Sequence, residues 1–207
     1  ENLAFYGCLV QFSMFCSLVL VNILVYAVNW KLICLFISIQ SFLFAGLIWI
    51  VPEVHVIPKK ASNTYVYKKP HLRNVIVMMA IMWLQCFSGI GFMIDNCARL
   101  MSDVGINIDT KLQSALTNFI GCLSTFIAAF IMDILGVRFM WALSAFGLVA
   151  SLIIYAITLK ANCPKWLGCF SVFLYFLFFG LGEGPIPWLL CGVIFPESIM
   201  VETGGIN

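Results

Sequence analysis

The stretch Gly180-Leu181-Gly182-Glu183-Gly184-Pro185-Ile186-Pro187-Trp188 interrupts an apolar run that extends from about Leu167 to Phe195. A helix of about 20 mostly apolar residues is long enough to cross a bilayer. Pro185 and Pro187 each lack a backbone donor and clash with the preceding turn, and the glycines beside them permit unusual backbone angles. The sequence therefore predicts a membrane-spanning helix that is broken or strongly kinked in this stretch.

Five further apolar runs precede it, so the sequence predicts an all-α membrane protein with six transmembrane helices. The predicted spans cover about 3–28, 32–51, 75–100, 111–132, 139–159 and 167–195. Of the 207 residues, 63% are hydrophobic and 10% are charged, whereas a soluble domain is roughly 45–50% apolar and about 25% charged. This composition excludes a soluble enzyme or a nucleic-acid-binding protein, and the net charge of +2 does not indicate an acidic partner.

The polar segment 52–74 is the predicted domain boundary. It carries five of the eleven basic residues, namely Lys59, Lys60, Lys68, Lys69 and Arg73. Since cytoplasmic loops are enriched in Lys and Arg, the segment is predicted to be a cytosolic linker, which also places both chain ends in the cytosol. It separates a part with two spans, 1–51, from a part with four spans, 75–207.

The predicted third span contains four polar side chains, which are those of Gln85, Ser88, Asp95 and Asn96. In a continuous helix they fall within an arc of about 100° and share one face. We expect this face to line a water-filled cavity, since an ionisable residue inside a span, here Asp95, is a functional candidate. Hydrogen bonding between helices that only stabilises the bundle is the alternative.

A broken helix within the bilayer is also the feature by which a transporter binding site is recognised in a sequence. Trp188 is then a candidate stacking platform for a solute, and the alternative is a tryptophan at the membrane interface. Glu183 has no obvious partner in the sequence, so a role in proton coupling is possible but unsupported.

Three further patterns concern helix packing, the lipid-facing surface and a turn. The fourth span has a stripe of small residues, comprising Ser114, Thr117 or Asn118, Gly121, Ser124 or Thr125, and Ala128. Such a stripe permits the close approach of another helix, and the lining of a cavity is the alternative. The aromatic stretch from Phe170 to Phe179 is predicted to face lipid. The tight link from Asp133 to Arg138 either pairs its charges with a neighbouring helix or forms a solvated turn.

The nine cysteines do not predict a metal site or a disulfide framework. Eight of them lie in or beside apolar runs, where cysteine behaves as a small hydrophobic residue. Cys163, in a short loop, is the one candidate for a partner. No cofactor and no metal ion are expected, and no pairing of a nucleophile with a base suggests an enzyme.

Four segments resemble the sugar porter family of the major facilitator superfamily. The segment from Gln85 to Gly91 is similar to the signature of the family's seventh helix, and Gly184-Pro185-Ile186-Pro187-Trp188 resembles its tenth. Asp133-x-x-Gly136-x-Arg138 is similar to the loop between helices eight and nine, and Pro52-Glu53 to the motif after helix six. The resemblance implies that the six spans correspond to helices five to ten of a twelve-helix fold. A complete pathway would then need the remaining helices or a partner chain.

The resemblance also implies two sets of functional residues. The expected sugar-binding positions are Gln85, Cys86, Ser88, Gly91, Asn96, Gly121 and Trp188. The expected gating and conformational positions are Glu53, Asp95, Asp133, Arg138, Gly182, Gly184, Pro185, Pro187 and Glu197. Among the departures from the family pattern, Cys86 replaces a glutamine, and Gly91 and Gly121 replace asparagines. The loss of these hydrogen-bonding groups is expected to weaken sugar binding, each by about 0.5–1.5 kcal/mol.

The function implied by the resemblance is transport of a hexose or a similar small polyol by alternating access, as facilitated diffusion. The expected location is the plasma membrane, as an integral multi-pass protein. Two alternatives remain open from the sequence. One is a transporter of another polar or cationic solute with the same fold, and the other is a sugar sensor or decayed paralogue that does not transport.

Overall fold

A computed structural model describes residues 3–47, 69–105, 109–161 and 163–194. Every regular element in these ranges is helical. The helices are α1 (Leu3–Ala27), α2 (Trp30–Leu47), α3 (Lys69–Phe87), α4 (Ile90–Asp95), α5 (Cys97–Asp103), α6 (Thr110–Leu135), α7 (Val137–Lys160), α8 (Lys165–Phe178) and α9 (Pro185–Ile194), with a π-helical turn, Phe179–Glu183, between α8 and α9.

Six segments of the described chain are long and apolar enough to cross a membrane, which confirms the predicted all-α membrane fold. The third segment begins earlier than predicted, because α3 already starts at Lys69 inside the proposed 52–74 linker. Pro70 does not prevent this start, since proline is tolerated in the first turn of a helix, where no backbone donor is needed. The remainder of the linker lies outside the described residues.

The ends of the helices meet in two groups, as expected for spans that alternate in direction. At one end, Lys111 Nζ donates a hydrogen bond to the carbonyl oxygen of Val25 over 3.0 Å. At the other end, Asn74 Nδ2 donates to the carbonyl oxygen of Ile194 over 3.2 Å. The start of α3 therefore meets the end of α9 on one side of the bundle, and the end of α1 meets the start of α6 on the other side.

Helix α6 packs along the length of α1, and the stripe of small residues lies at helix contacts, as predicted: Gly121 meets α1, Ser124 meets the π-helical turn and Thr117 meets α5. Thr117, Gly121, Ser124 and Ala128 on this stripe are all buried. A Cβ atom at Gly121 would lie 2.6 Å from the Phe15 ring of α1, so only glycine permits the observed approach. In lipid, where apolar burial does not drive helices together, such close backbone packing is a main source of stability.

The prediction that the aromatic stretch 170–179 faces lipid is wrong for part of it. Tyr175, Phe176 and Phe179 are almost completely buried in a core that also contains Phe15 of α1. Phe170 on the same helix is half exposed. The prediction failed because aromatic composition does not indicate which side of a helix its neighbours cover, and here α6 and α7 both pack against α8.

Candidate functional site

The third span is divided into three pieces. Helix α3 ends at Phe87, Gly89 has a φ of 88°, and α4 begins at Ile90. This left-handed conformation is readily available to glycine and costly for other residues. A second interruption at Asn96 separates α4 from α5. The helical conformation of the third span is therefore interrupted at Gly89 and again at Asn96.

The last span is also interrupted, at the predicted place, and the form of the break is a π-helical turn from Phe179 to Glu183. The N–H of Gly184 donates to the carbonyl oxygen of Phe179, five residues earlier, over 2.9 Å. Pro185 and Pro187 then occupy the first turn of α9, where their missing backbone donors cost little. Such π-helical turns within helices are frequent at functional sites.

The two breaks contact each other through polar groups. Gln85 Nε2 donates to the carbonyl oxygen of Gly184 over 3.0 Å. From α8, Tyr175 Oη donates to the carbonyl oxygen of Ser88 over 2.9 Å. The Ser88 hydroxyl also lies close to the carboxyl group of Glu183. Backbone groups released by each break are thus satisfied by side chains of the other span, as a membrane interior requires.

Helix α7 supports the second break from the opposite side. Ser144 Oγ donates to the carbonyl oxygen of Phe178 over 2.7 Å and accepts the N–H of Glu183 over 2.9 Å. A Cβ atom at Gly182 would lie 2.5 Å from the carbonyl oxygen of Met140, so the two backbones are in direct contact. The π-helical turn is therefore held in one position by α7.

Two polar atoms at the second break have no hydrogen-bond partner among the described residues. They are Trp188 Nε1, which is a donor, and the carboxyl oxygen Oε2 of Glu183, which is an acceptor when the carboxyl group is ionised. Both atoms are buried. Buried polar atoms are satisfied in the great majority of cases, so an unsatisfied one calls for an explanation such as a binding role. One unpaired donor and one unpaired acceptor five residues apart can serve a ligand that carries hydroxyl groups.

The four polar side chains that were predicted to share one face of the third span lie in different surroundings. Gln85 and Ser88 face the second break, whereas Asp95 is exposed and ends the apolar segment rather than lying in its middle. Asn96 Nδ2 donates to the carbonyl oxygen of Phe92, in its own span. The arc assumed one continuous helix, and the left-handed backbone at Gly89 breaks that continuity.

The remaining sugar-binding positions from the resemblance lie in different surroundings. Cys86 and Gly91 are exposed, and no atom lies within 4 Å of a Cβ built at Gly91. Gly121 is buried against Phe15, and its carbonyl oxygen accepts hydrogen bonds from Ser124 and Thr125.

The positions expected to govern gating are buried in some cases and exposed in others. Gly182, Gly184, Pro185 and Pro187 are buried within the second break. Asp133 and Arg138 are exposed on either side of Gly136, and within the described ranges neither forms an ion pair. Glu53 and Glu197 lie outside the described residues.

Sequence reasoning missed Tyr175 and Ser144. Both are buried polar residues that donate hydrogen bonds to backbone oxygens at the breaks. The signal for Tyr175 was the one phenolic hydroxyl within the aromatic stretch 170–179. No group of three or more His, Cys, Asp or Glu residues that could hold a metal ion occurs within the described part of the chain.

Broken membrane spans that meet at polar groups are typical of transporters. Residues 52–201 match the family described as "Sugar (and other) transporter". Because the match covers more than half of the chain, the protein belongs to this family of transporters. The resemblance to sugar porters is thereby confirmed.

Individual relatives are similar over a shorter segment. The chain is 29% identical over 139 residues to a facilitated trehalose transporter of Apis mellifera ligustica, which is 64% of this chain and 28% of that relative. It is 32% identical over 139 residues to a facilitated trehalose transporter of Drosophila sechellia, or 64% of this chain and 16% of that relative. The corresponding protein of Bombyx mori is 30% identical over 140 residues, or 64% and 28%. The matched segment thus spans less than a third of these relatives.

Proposed function

We propose that the protein carries a neutral sugar across a membrane by facilitated diffusion with alternating access. The observation that carries the proposal is the hydrogen bond between Gln85 and the carbonyl oxygen of Gly184, which joins the two broken spans. When the spans separate, both groups become available to sugar hydroxyls. The family of the chain and the names of its relatives support this activity.

The proposed binding positions are those of the resemblance, namely Gln85, Cys86, Ser88, Gly91, Asn96, Gly121 and Trp188. Trp188 offers an aromatic face and an unpaired N–H group, which suit the apolar face and the hydroxyl groups of a sugar ring. Gly182, Gly184, Pro185 and Pro187 form the flexible element in this proposal, because they lie in the π-helical turn and the first turn of α9. Asp95, Asp133, Arg138, Glu53 and Glu197 are proposed to bias the conformational equilibrium.

A hexose is the first candidate substrate, and the disaccharide trehalose is the second. The printed names of the relatives favour trehalose. The open space at Gly91 is compatible with the larger sugar, since a Cβ there would meet no atom within 4 Å. The plasma membrane is the proposed location, in which the chain is an integral multi-pass protein.

Uptake of labelled glucose and labelled trehalose into proteoliposomes tests the proposal. The wild-type protein is compared with Trp188→Ala and with the matched control Trp166→Ala, which alters an exposed tryptophan of the same span. We expect saturable uptake of one sugar that Trp188→Ala abolishes and Trp166→Ala retains. Uptake that is competed by amines but not by sugars would contradict the proposal in favour of a cationic solute. Sugar binding without flux would indicate a sensor, and neither binding nor flux would indicate a decayed paralogue.

A further inference from the structure

The carboxyl group of Glu183 is buried at the second break, and Glu183 is not among the proposed sugar-binding or gating positions. The residue is 9% exposed, and its Oε2 atom has no hydrogen-bond partner among the described residues. Among the described residues, the side chains that the neighbouring helices place near the turn are uncharged, namely Ser88 after α3, Ser144 on α7, Tyr175 on α8, Ser124 and Thr125 on α6, and Gln11 of α1, which lies beside Gly184. Tyr175 is the one titratable group in this set.

An ionised carboxylate is poorly suited to these surroundings. A charge inside a membrane protein is costly unless it is paired or hydrated. The Ser88 hydroxyl has one hydrogen, which it donates to the carbonyl oxygen of Gln85 over 2.7 Å. It therefore presents a lone pair to the carboxyl group. A neutral carboxylic acid can donate its hydrogen to that lone pair, whereas a carboxylate cannot.

We propose that Glu183 is a proton-binding site, occupied while the two broken spans are in contact and released when water enters between them. The proton passes between the carboxyl group and water, and no other bond changes. Acid then stabilises the closed arrangement of the spans, and alkali favours their separation. This inference rests on the proposed function, because it assigns a proton to the same site that is proposed to carry the sugar.

The first test is the pH dependence of sugar uptake in proteoliposomes. Glu183→Gln imitates the neutral acid, so we expect its uptake to stay near the acidic wild-type value at every pH. Asp103→Asn is the matched control, because Asp103 is an exposed carboxylate at the end of α5 and belongs to neither the proposed binding nor the proposed gating positions, so its profile should follow the wild type. A Glu183→Gln profile that follows the wild-type profile overturns the proposal.

Ser88→Ala tests the direction of the hydrogen bond. Removal of an acceptor for the acid hydrogen disfavours the neutral form, so the midpoint of the uptake profile should move to lower pH. A midpoint that moves to higher pH would show that the hydroxyl stabilises the carboxylate, and would overturn the proposal.

A measurement that does not require transport separates this inference from the proposed function. Infrared difference spectra between acidic and alkaline pH should contain the C=O stretching band of a protonated carboxyl group. The band should be absent from Glu183→Gln and retained in Asp103→Asn. If neither the wild-type protein nor any variant takes up sugar, the proposed function fails. The infrared band then still decides whether Glu183 binds a proton. A wild-type spectrum identical to that of Glu183→Gln overturns the inference.

Discussion

The sulfur atoms of Cys16 and Cys122 lie 3.3 Å apart, between the middle of α1 and the middle of α6. Helix α1 precedes the proposed 52–74 linker and α6 follows it, so this contact joins the two parts of the chain. Both cysteines are free thiols and partly buried. Their neighbours in the sequence, Phe15 and Gly121, also pack against each other at this contact between α1 and α6.

Oxidation of this pair should arrest the protein. A disulfide has an S–S distance of about 2 Å, so a small movement is sufficient to form it. Molecular iodine would take two hydrogens from the two thiols and leave two iodide ions. With a protease site inserted into the 52–74 segment, the cleaved halves should stay together without reductant and separate after thiol treatment. Sugar uptake should fall and recover in parallel.

The matched control is Cys16→Ser, in which iodine should neither link the halves nor inhibit uptake. Inhibition that persists in Cys16→Ser would assign the effect to another thiol, such as the exposed Cys34.

Gly180→Ala should destabilise the protein, because a Cβ at this position would collide with the Ser124 hydroxyl and lie 2.8 Å from the carbonyl oxygen of Gly121. Overpacking of this kind typically costs about 1–3 kcal/mol. Gly192→Ala is a control in the same span, since no atom lies within 4 Å of its Cβ. Thermal unfolding in detergent measures both, and equal melting temperatures would contradict the observed packing of α6 against the π-helical turn.

Gly136→Ala should also lower stability, for a conformational reason. Gly136 joins α6 to α7 with a φ of 82° and a ψ of 146°, a region that is costly for residues with a Cβ. A residue held in such a region costs of order 1–3 kcal/mol. Gly46→Ala, at an open helical position of α2, is the control and should leave the melting temperature unchanged or slightly raised. A similar small change in both variants would mean that the turn can relax.

Trp188→Phe separates the two roles proposed for Trp188. Phenylalanine keeps an aromatic face and removes the buried N–H group, which has no partner among the described residues. If that group donates to the sugar, the KM for uptake should rise about 2- to 12-fold, the equivalent of about 0.5–1.5 kcal/mol for one hydrogen bond, and melting should be unaffected. Trp166→Phe should leave KM unchanged. An unaltered KM in Trp188→Phe would restrict the role of Trp188 to stacking.

The spans and their interruptions could be predicted from the sequence because they depend on local properties. Apolar run length defines a membrane span, and Pro185, Pro187 and the neighbouring glycines identify the break in the last one. The stripe around Gly121 predicted a close helix contact for the same reason, since the size of a side chain is visible in the sequence.

The partners across the site could not be predicted, because they depend on how helices distant in sequence come together. Tyr175 belongs to an aromatic run that looked like a lipid-facing surface, and its hydroxyl reaches Ser88 only in the folded bundle. The position of Asp95 was wrong for a different reason. A rotation of 100° per residue was carried through Gly89, where the left-handed backbone interrupts the helix.

The π-helical turn changes the rotation of α9 about the helix axis. A bond that spans five residues rather than four adds one residue to the turn, so α9 is rotated by about 100° relative to an uninterrupted continuation of α8. The direction in which Trp188 points therefore depends on the number of residues between Phe178 and Pro185 as well as on their identity. Deletion of one residue there would swing the tryptophan away from its present direction while the local composition remained almost unchanged.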